Sequence, residues 1–188
     1  MTRSHPFLCL HPATNRPSPS FRCALGAGLA WLVLAVSATA AGVSWKVGSS
    51  PRAKGSPWAV VSSTSGEELA LYSDRQNKVH LQFKLAGTFK TFAPGRCPTF
   101  QIDRQQPLYH LAIDQGCHLD QKHALIDVGD VRNRVLVSGL VDQLMNGTQI
   151  AFRYVTADGA YHEADFPLNG SSLAISRALG RGVRVRAK

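Results

Sequence analysis

The sequence predicts a mainly β, antiparallel sandwich-like domain with one or two short helices, and three observations lead to it. Beyond residue 57 the chain breaks into short runs rich in β-branched and aromatic residues, separated by turn residues. In one run, Val79, Leu81, Phe83 and Leu85 alternate with His80, Gln82 and Lys84, which gives a strand one dry face and one wet face. Ala157-Asp158-Gly159-Ala160 joins two further runs, 148–156 and 161–168. Asp-Gly is a strong hairpin signal there, because glycine accepts the positive φ of a tight turn.

Residues 1–40 read as an export signal rather than as part of that domain. Arg3, Arg16 and Arg22 precede an uncharged apolar run over 23–36. Ser37-Ala38-Thr39-Ala40 then supplies the small-x-small pattern of a cleavage site, with the cut expected after Ala40. An initiation codon further along would leave this reading unchanged. The rival is a retained anchor over 23–43, which is uncharged and close to the length that spans a bilayer. Neither Cys9 nor Cys23 lies at the end of the apolar run, where a lipidated cysteine would be needed. Residues 41–56, rich in Gly, Ser and Lys, read as a linker, residues 57–180 as the β domain and residues 181–188 as a basic tail.

Within the domain, strands are expected at 58–62, 68–73, 79–85, 99–103, 108–113 and 134–137, followed by the two arms of the hairpin. Ser138 is placed to cap a helix carrying Leu140, Val141, Leu144 and Met145, ended by Asn146-Gly147. Ser171 or Ser172 is placed to cap a second helix over 173–179, before Gly180. Residues 118–130 carry no assignable pattern. No internal repeat and no coiled-coil heptad is present.

Removal of residues 1–40 discards Cys9 and Cys23 and leaves Cys97 and Cys117, an even count in a compartment that permits disulfides. They are expected to be joined. The competing reading is a catalytic thiol beside His110 or His118.

Catalytic and metal patterns are weak throughout. His110, Asp114, His118, Asp120 and His123 are zinc-ligand types close in sequence, yet no histidine pair has metalloprotease spacing and no Cys-x-x-Cys occurs. Solvated surface residues are the expectation, with no metal and no cofactor. Ser62-Ser63-Thr64-Ser65-Gly66 reads as a loop between strands, and no Gly-x-Ser-x-Gly elbow exists. Triad members need not be adjacent in sequence, so a hydrolase stays open. Glu67-Glu68 stand at a strand start, while Asp127, Asp130 and Asp142 are scattered. Gly180-Arg181-Gly182 follows a helix rather than opening one, the wrong order for a phosphate-binding loop. No catalytic residue is assigned.

Charge is more informative. The net charge is +9, the first acid is Glu67 and the last is Asp165, so both ends of the chain carry only basic charge. Arg177, Arg181, Arg184, Arg186 and Lys188 crowd the last twelve residues. Such a tail gains about 1 kcal/mol per basic group near an anionic membrane surface, screened by salt. Anionic lipid, lipopolysaccharide or acidic wall polymers are the partners that fit such a tail in an envelope compartment, with transient membrane contact among them, and an envelope protein is a further candidate partner for the domain. Nucleic acid is disfavoured by export. The plainer alternative is a solubilising tail, and the alternation of Val183 and Val185 with Arg184 and Arg186 also allows a last edge strand.

Leu144-Met145-Asn146-Gly147 leads into Gln149-Ile150-Ala151-Phe152-Arg153-Tyr154, and Phe166-Pro167-Leu168-Asn169-Gly170 runs into Ser171-Ser172-Leu173-Ala174-Ile175. This ending resembles that of the invasion-associated locus B family, as does the early Trp58-Ala59-Val60-Val61. The chain departs from the family pattern in lacking a cysteine shortly after the tryptophan-containing strand. The resemblance implies a periplasmic or surface β-sandwich-like protein and supplies no catalytic residues.

The function expected from these readings is that of an exported, non-enzymatic binding or structural protein of the bacterial cell envelope. An envelope hydrolase with a site assembled from distant residues, and a secreted enzyme inhibitor, are the alternatives. A hydrolase calls for a deep pocket with convergent polar groups, a binding module for an open groove or apolar patch, and an inhibitor for one protruding loop.

Overall fold

A computed structural model describes residues 44–49, 55–105 and 116–187. The export signal, the expected strand at 108–113, His110, Asp114 and Lys188 lie outside them. The described strands are β1 (Lys46–Ser49), β2 (Pro57–Ser62), β3 (Glu68–Ser73), β4 (Lys78–Lys84), β5 (Thr99–Ile102), β6 (Cys117–Leu119), β7 (His123–Arg132), β8 (Val135–Val137), β9 (Gln149–Val155), β10 (Tyr161–Pro167) and β11 (Arg184–Arg186). Helix α1 (Gly139–Asn146) precedes β9, and α2 (Ser171–Leu179) follows β10.

The larger sheet runs β1-β2-β3-β4-β7-β8-β11, with β6 also paired to β7, and the smaller runs β10-β9-β5. All pairs are antiparallel except β8 with β11. The mainly β class predicted from alternation is therefore the observed one.

The sheets meet through aromatic rings. Phe83 on β4 stacks on Phe152 of β9 with centroids 4.7 Å apart, and meets Tyr154 at 5.2 Å and Phe166 edge-on at 6.1 Å. The dry face expected of residues 79–85 is buried at each of its four apolar positions. The wet face is not wet: His80 and Gln82 are buried too. On that face Tyr72 of β3 and Asp127 of β7 stand in register beside His80, with the Tyr72 ring 5.4 Å from the imidazole. His80 is further clamped by Asp127 and Asp74, which lie 2.7 and 3.1 Å from its ring nitrogens.

Three local readings change. Lys46–Ser49, expected within the linker, forms edge strand β1 against β2, and Trp45 is buried with its indole N–H donating to the Pro167 carbonyl at 2.8 Å. All four β1 residues are exposed, so the strand has no apolar pattern to read. Residues 117–132 form the β6–β7 hairpin, where Asp127, Gly129 and Asp130 interrupt the alternation near a register shift against β4. Helix α2 opens at Gly170, with φ of 82°, and not at a capping serine. Ser171 is fully buried and its hydroxyl donates to the Leu144 carbonyl at 2.6 Å, so it closes the end of α1 instead.

Helix α1 follows the expectation: the Ser138 hydroxyl accepts from the Val141 N–H and the helix ends at Gly147. A Cβ at Gly147 would fall 2.8 Å from the Gln143 carbonyl and 2.9 Å from Ile102, so only glycine fits this approach.

Two covalent or polar joints tie the layers. Cys97 and Cys117 form a disulfide with Cα atoms 6.5 Å apart, linking the segment before β5 in the smaller sheet to β6 in the larger. Glu67, buried at the β2–β3 turn, accepts from the Ser63 and Ser65 hydroxyls and from Tyr154 of β9 at 2.9 Å. Burial alone would push the Glu67 carboxyl up, but the hydroxyls of Ser63, Ser65 and Tyr154 outweigh it and hold it below the ordinary value of 4.5. A depressed folded value means that this group stabilises fully above its unfolded value and loses that contribution as pH falls through the folded one. Urea midpoints taken from about pH 6 down to about pH 3 will therefore fall less steeply in Glu67→Gln than in the parent protein. Equal slopes would show that the carboxylate contributes nothing to acid stability. A residual slope is expected in both, because Asp127 and Asp74 are likewise held low against the effect of burial, chiefly by Lys78 and His80 for Asp127 and by His80 for Asp74.

Candidate functional site

The basic tail of the sequence is built into the fold as one side of a corner. Arg184, Val185 and Arg186 pair in parallel with Val135, Leu136 and Val137, and Arg132 lies opposite Val135 on the other side. Leu136 is fully buried and Val131 and Val185 pack against the core. Strand alternation then puts Arg132, Val135 and Arg184 in one row on the outer face, with Val137 and Arg186 in the next. Rows on neighbouring strands are about 5 Å apart.

The β7–β8 turn adds a further arginine. Asn133 and Arg134 have φ of 51° and 61°, and the Arg134 carbonyl accepts from the Arg184 N–H at 2.9 Å. Its side chain runs beside Gly182, where a Cβ would stand 3.7 Å from the guanidinium. At the end of α2, Arg177 and Arg181 border a cleft of about 350 Å³ that Gly180 and Gly182 turn beneath. The corner thus gathers exposed Arg132, Arg134, Arg177, Arg181, Arg184 and Arg186 from three stretches of chain. Among the described residues one of these has an acidic partner, Arg132 with Asp130 at 3.2 Å.

Sequence reasoning found four of these six arginines. Arg132 and Arg134 lie some fifty residues upstream of Arg184 and Arg186, and only the pairing of β8 with β11 brings them alongside. Chemically, the corner offers planar guanidinium forks suited to phosphate and carboxylate groups.

Both ring nitrogens of His80 face carboxylate oxygens, and Lys78 lies 2.7 Å from Asp127. A histidine so engaged has no free nitrogen to accept a proton from a nucleophile. Of the zinc-ligand types close in sequence, Asp120 accepts from the ring and backbone N–H groups of His123 within the β6–β7 turn, while His118 is exposed on β6. Among the described residues no group of three or more His, Cys, Asp or Glu is placed to hold a metal. Cys97 and Cys117 are bonded to each other, which removes the catalytic-thiol alternative.

One loop does protrude. Phe89, 96% exposed, stands at the tip of the β4–β5 connection, braced by the Lys122 ammonium, which donates to the carbonyls of Gly87 and Lys90. A single exposed ring in a shallow depression shared with Lys90 and Asp158 defines no partner chemistry. No helix among the described residues is long and apolar enough to cross a membrane. Comparison with protein-family models, with curated proteins and with solved structures returned no match.

Proposed function

We propose that the protein is an exported, non-enzymatic binding or structural component of the bacterial cell envelope, held at anionic surfaces by the arginine corner. The observation that carries this reading is the gathering of six exposed arginines on one corner with a single acidic partner among the described residues. The disulfide supports an oxidising compartment, and the export pattern of residues 1–40 supports the same location. The invasion-associated locus B resemblance points to a periplasmic or surface role as well. Anionic envelope lipid and acidic envelope polymers are the partners whose phosphates and carboxylates suit the corner.

Fractionation of cells tests it. The parent protein is expected in the envelope pellet at low salt and in the wash at about 1 M salt, where the screening length is about 3 Å. Arg181→Gln, Arg184→Gln and Arg186→Gln combined remove three groups of about 1 kcal/mol each, a drop in envelope partition of roughly a hundredfold. Recovery of the parent from the cytoplasm, or of the variant from the pellet in undiminished amount, would overturn the reading.

A further inference from the structure

On the outer face of the β5-β9-β10 sheet lies a second feature of different chemistry. An open groove of about 880 Å³ crosses the three strands, at the upper end of ordinary ligand sites. Its floor is Ala151, flanked in register by Gln101 on β5 and Asp165 on β10. The next row sets Arg153 between Thr99 and Glu163.

The polar groups are held in place before any ligand arrives. The Arg153 guanidinium donates to Glu163 at 2.6 Å and to the Gln101 amide oxygen at 3.1 Å, and the same amide donates to the Gln105 carbonyl at 2.8 Å. At one end Asp103, with φ of 50°, accepts from the backbone N–H groups of Thr148 and Gln149 and from the Thr148 hydroxyl. Asp165 and Gln149 line the groove without a side-chain hydrogen bond to any described residue. At the other end of β10, two residues beyond Glu163 on the same face, Tyr161 is 63% exposed.

We propose that this groove binds a short stretch of an uncharged polysaccharide. Three features select that class. The lining carries Arg104 and Arg153 against Asp103, Glu163 and Asp165, a formal balance of two against three, so it is no anion site. Planar amide, carboxylate and guanidinium groups mix donors with acceptors, which matches neighbouring hydroxyls that each donate and accept. An exposed tyrosine ring offers a flat apolar platform with a polar tip, suited to the C–H face of a sugar ring. A peptide is less well served: the floor is the face of a sheet, so it lends no backbone hydrogen bonds, and no apolar pocket receives side chains.

The test is titration of the purified protein with cellotetraose, maltotetraose and chitotetraose, followed by backbone amide NMR, with tetra-alanine as a peptide probe. Saturable binding of at least one tetrasaccharide is expected, with shifts confined to β5, β9, β10 and the 103–105 turn. Tyr161→Ala and Asp165→Ala should each weaken that binding about tenfold, a loss of roughly 1.4 kcal/mol, while leaving the unfolding midpoint unchanged, because both side chains are on the surface. The arginine-corner variant should bind the sugar as the parent does. Failure of all three sugars to bind, shifts located at the corner, or tighter binding of tetra-alanine at the same strands would each overturn the proposal.

Discussion

Phe83→Ala will lower the free energy of unfolding by about 3–5 kcal/mol, the largest effect of any single truncation considered for this fold. Phe83 is fully buried and its ring meets those of Phe92, Phe152, Tyr154 and Phe166. Removing it takes apolar area from the core and also leaves a cavity between two sheets that strand pairing prevents from collapsing. Against a total stability of about 5–15 kcal/mol, such a loss leaves a domain near its folding threshold. Denaturant titration should show a lower midpoint with a nearly unchanged slope. Phe89→Ala serves as the comparison, since a side chain 96% exposed should cost no more than about 0.5 kcal/mol. Equal losses at the two positions would show that the aromatic cluster is not what joins the layers.

Replacing Cys97 and Cys117 together by serine is expected to cost about 3 kcal/mol on the chain-entropy account of cross-links. The cysteines are 20 residues apart, so the bond closes a loop of moderate length in the unfolded chain. It also holds β6 of one sheet to the segment entering β5 of the other. A fall of melting temperature on the order of 10 °C follows for a domain of this size, read by calorimetry with and without reductant. In protein lacking residues 1–40, and so Cys9 and Cys23, the sulfurs of Cys97 and Cys117 should resist alkylation until reduced. Alkylation before reduction, or an unchanged melting temperature in the double variant, would sink the claim that this bond is a structural joint.

The sequence showed most clearly those elements whose signals are local. The β9–β10 hairpin was readable from Asp158-Gly159 and from Ile150, Phe152 and Tyr154 on one face. Helix α1 was readable from Ser138 at one end and Gly147 at the other. Illegible elements failed for different physical reasons. Strand β1 buries none of its side chains, so nothing apolar marks it. In β7, Asp127 and Asp130 are committed to His80, Lys78 and Arg132, which puts charge where a strand pattern would show alternation. Ser171 has the chemistry of a cap but spends its hydroxyl on the Leu144 carbonyl, a choice fixed only by how α2 packs on α1. Both sites are non-local in the same way. The tail arginines announce a charge, but the corner needs the parallel pairing that adds Arg132 and Arg134. The groove needs three strands in register before Gln101, Arg153 and Glu163 become neighbours.

The Trp45 indole has a consequence for the order of folding. Its hydrogen-bond acceptor, Pro167, lies 122 residues further along the chain, and α2, later still, packs across β2 and β1. Pairing of β1 with β2 needs only a short loop, but the seat that buries Trp45 does not exist until the final hairpin and helix have arrived. Contacts of such sequence separation form slowly, on a scale of milliseconds to seconds for largely β domains. A chain emerging from its N-terminus therefore remains open along this seam while the rest is still being delivered. Strand β1 and the last helix come together as a late event, after every element between them has been delivered.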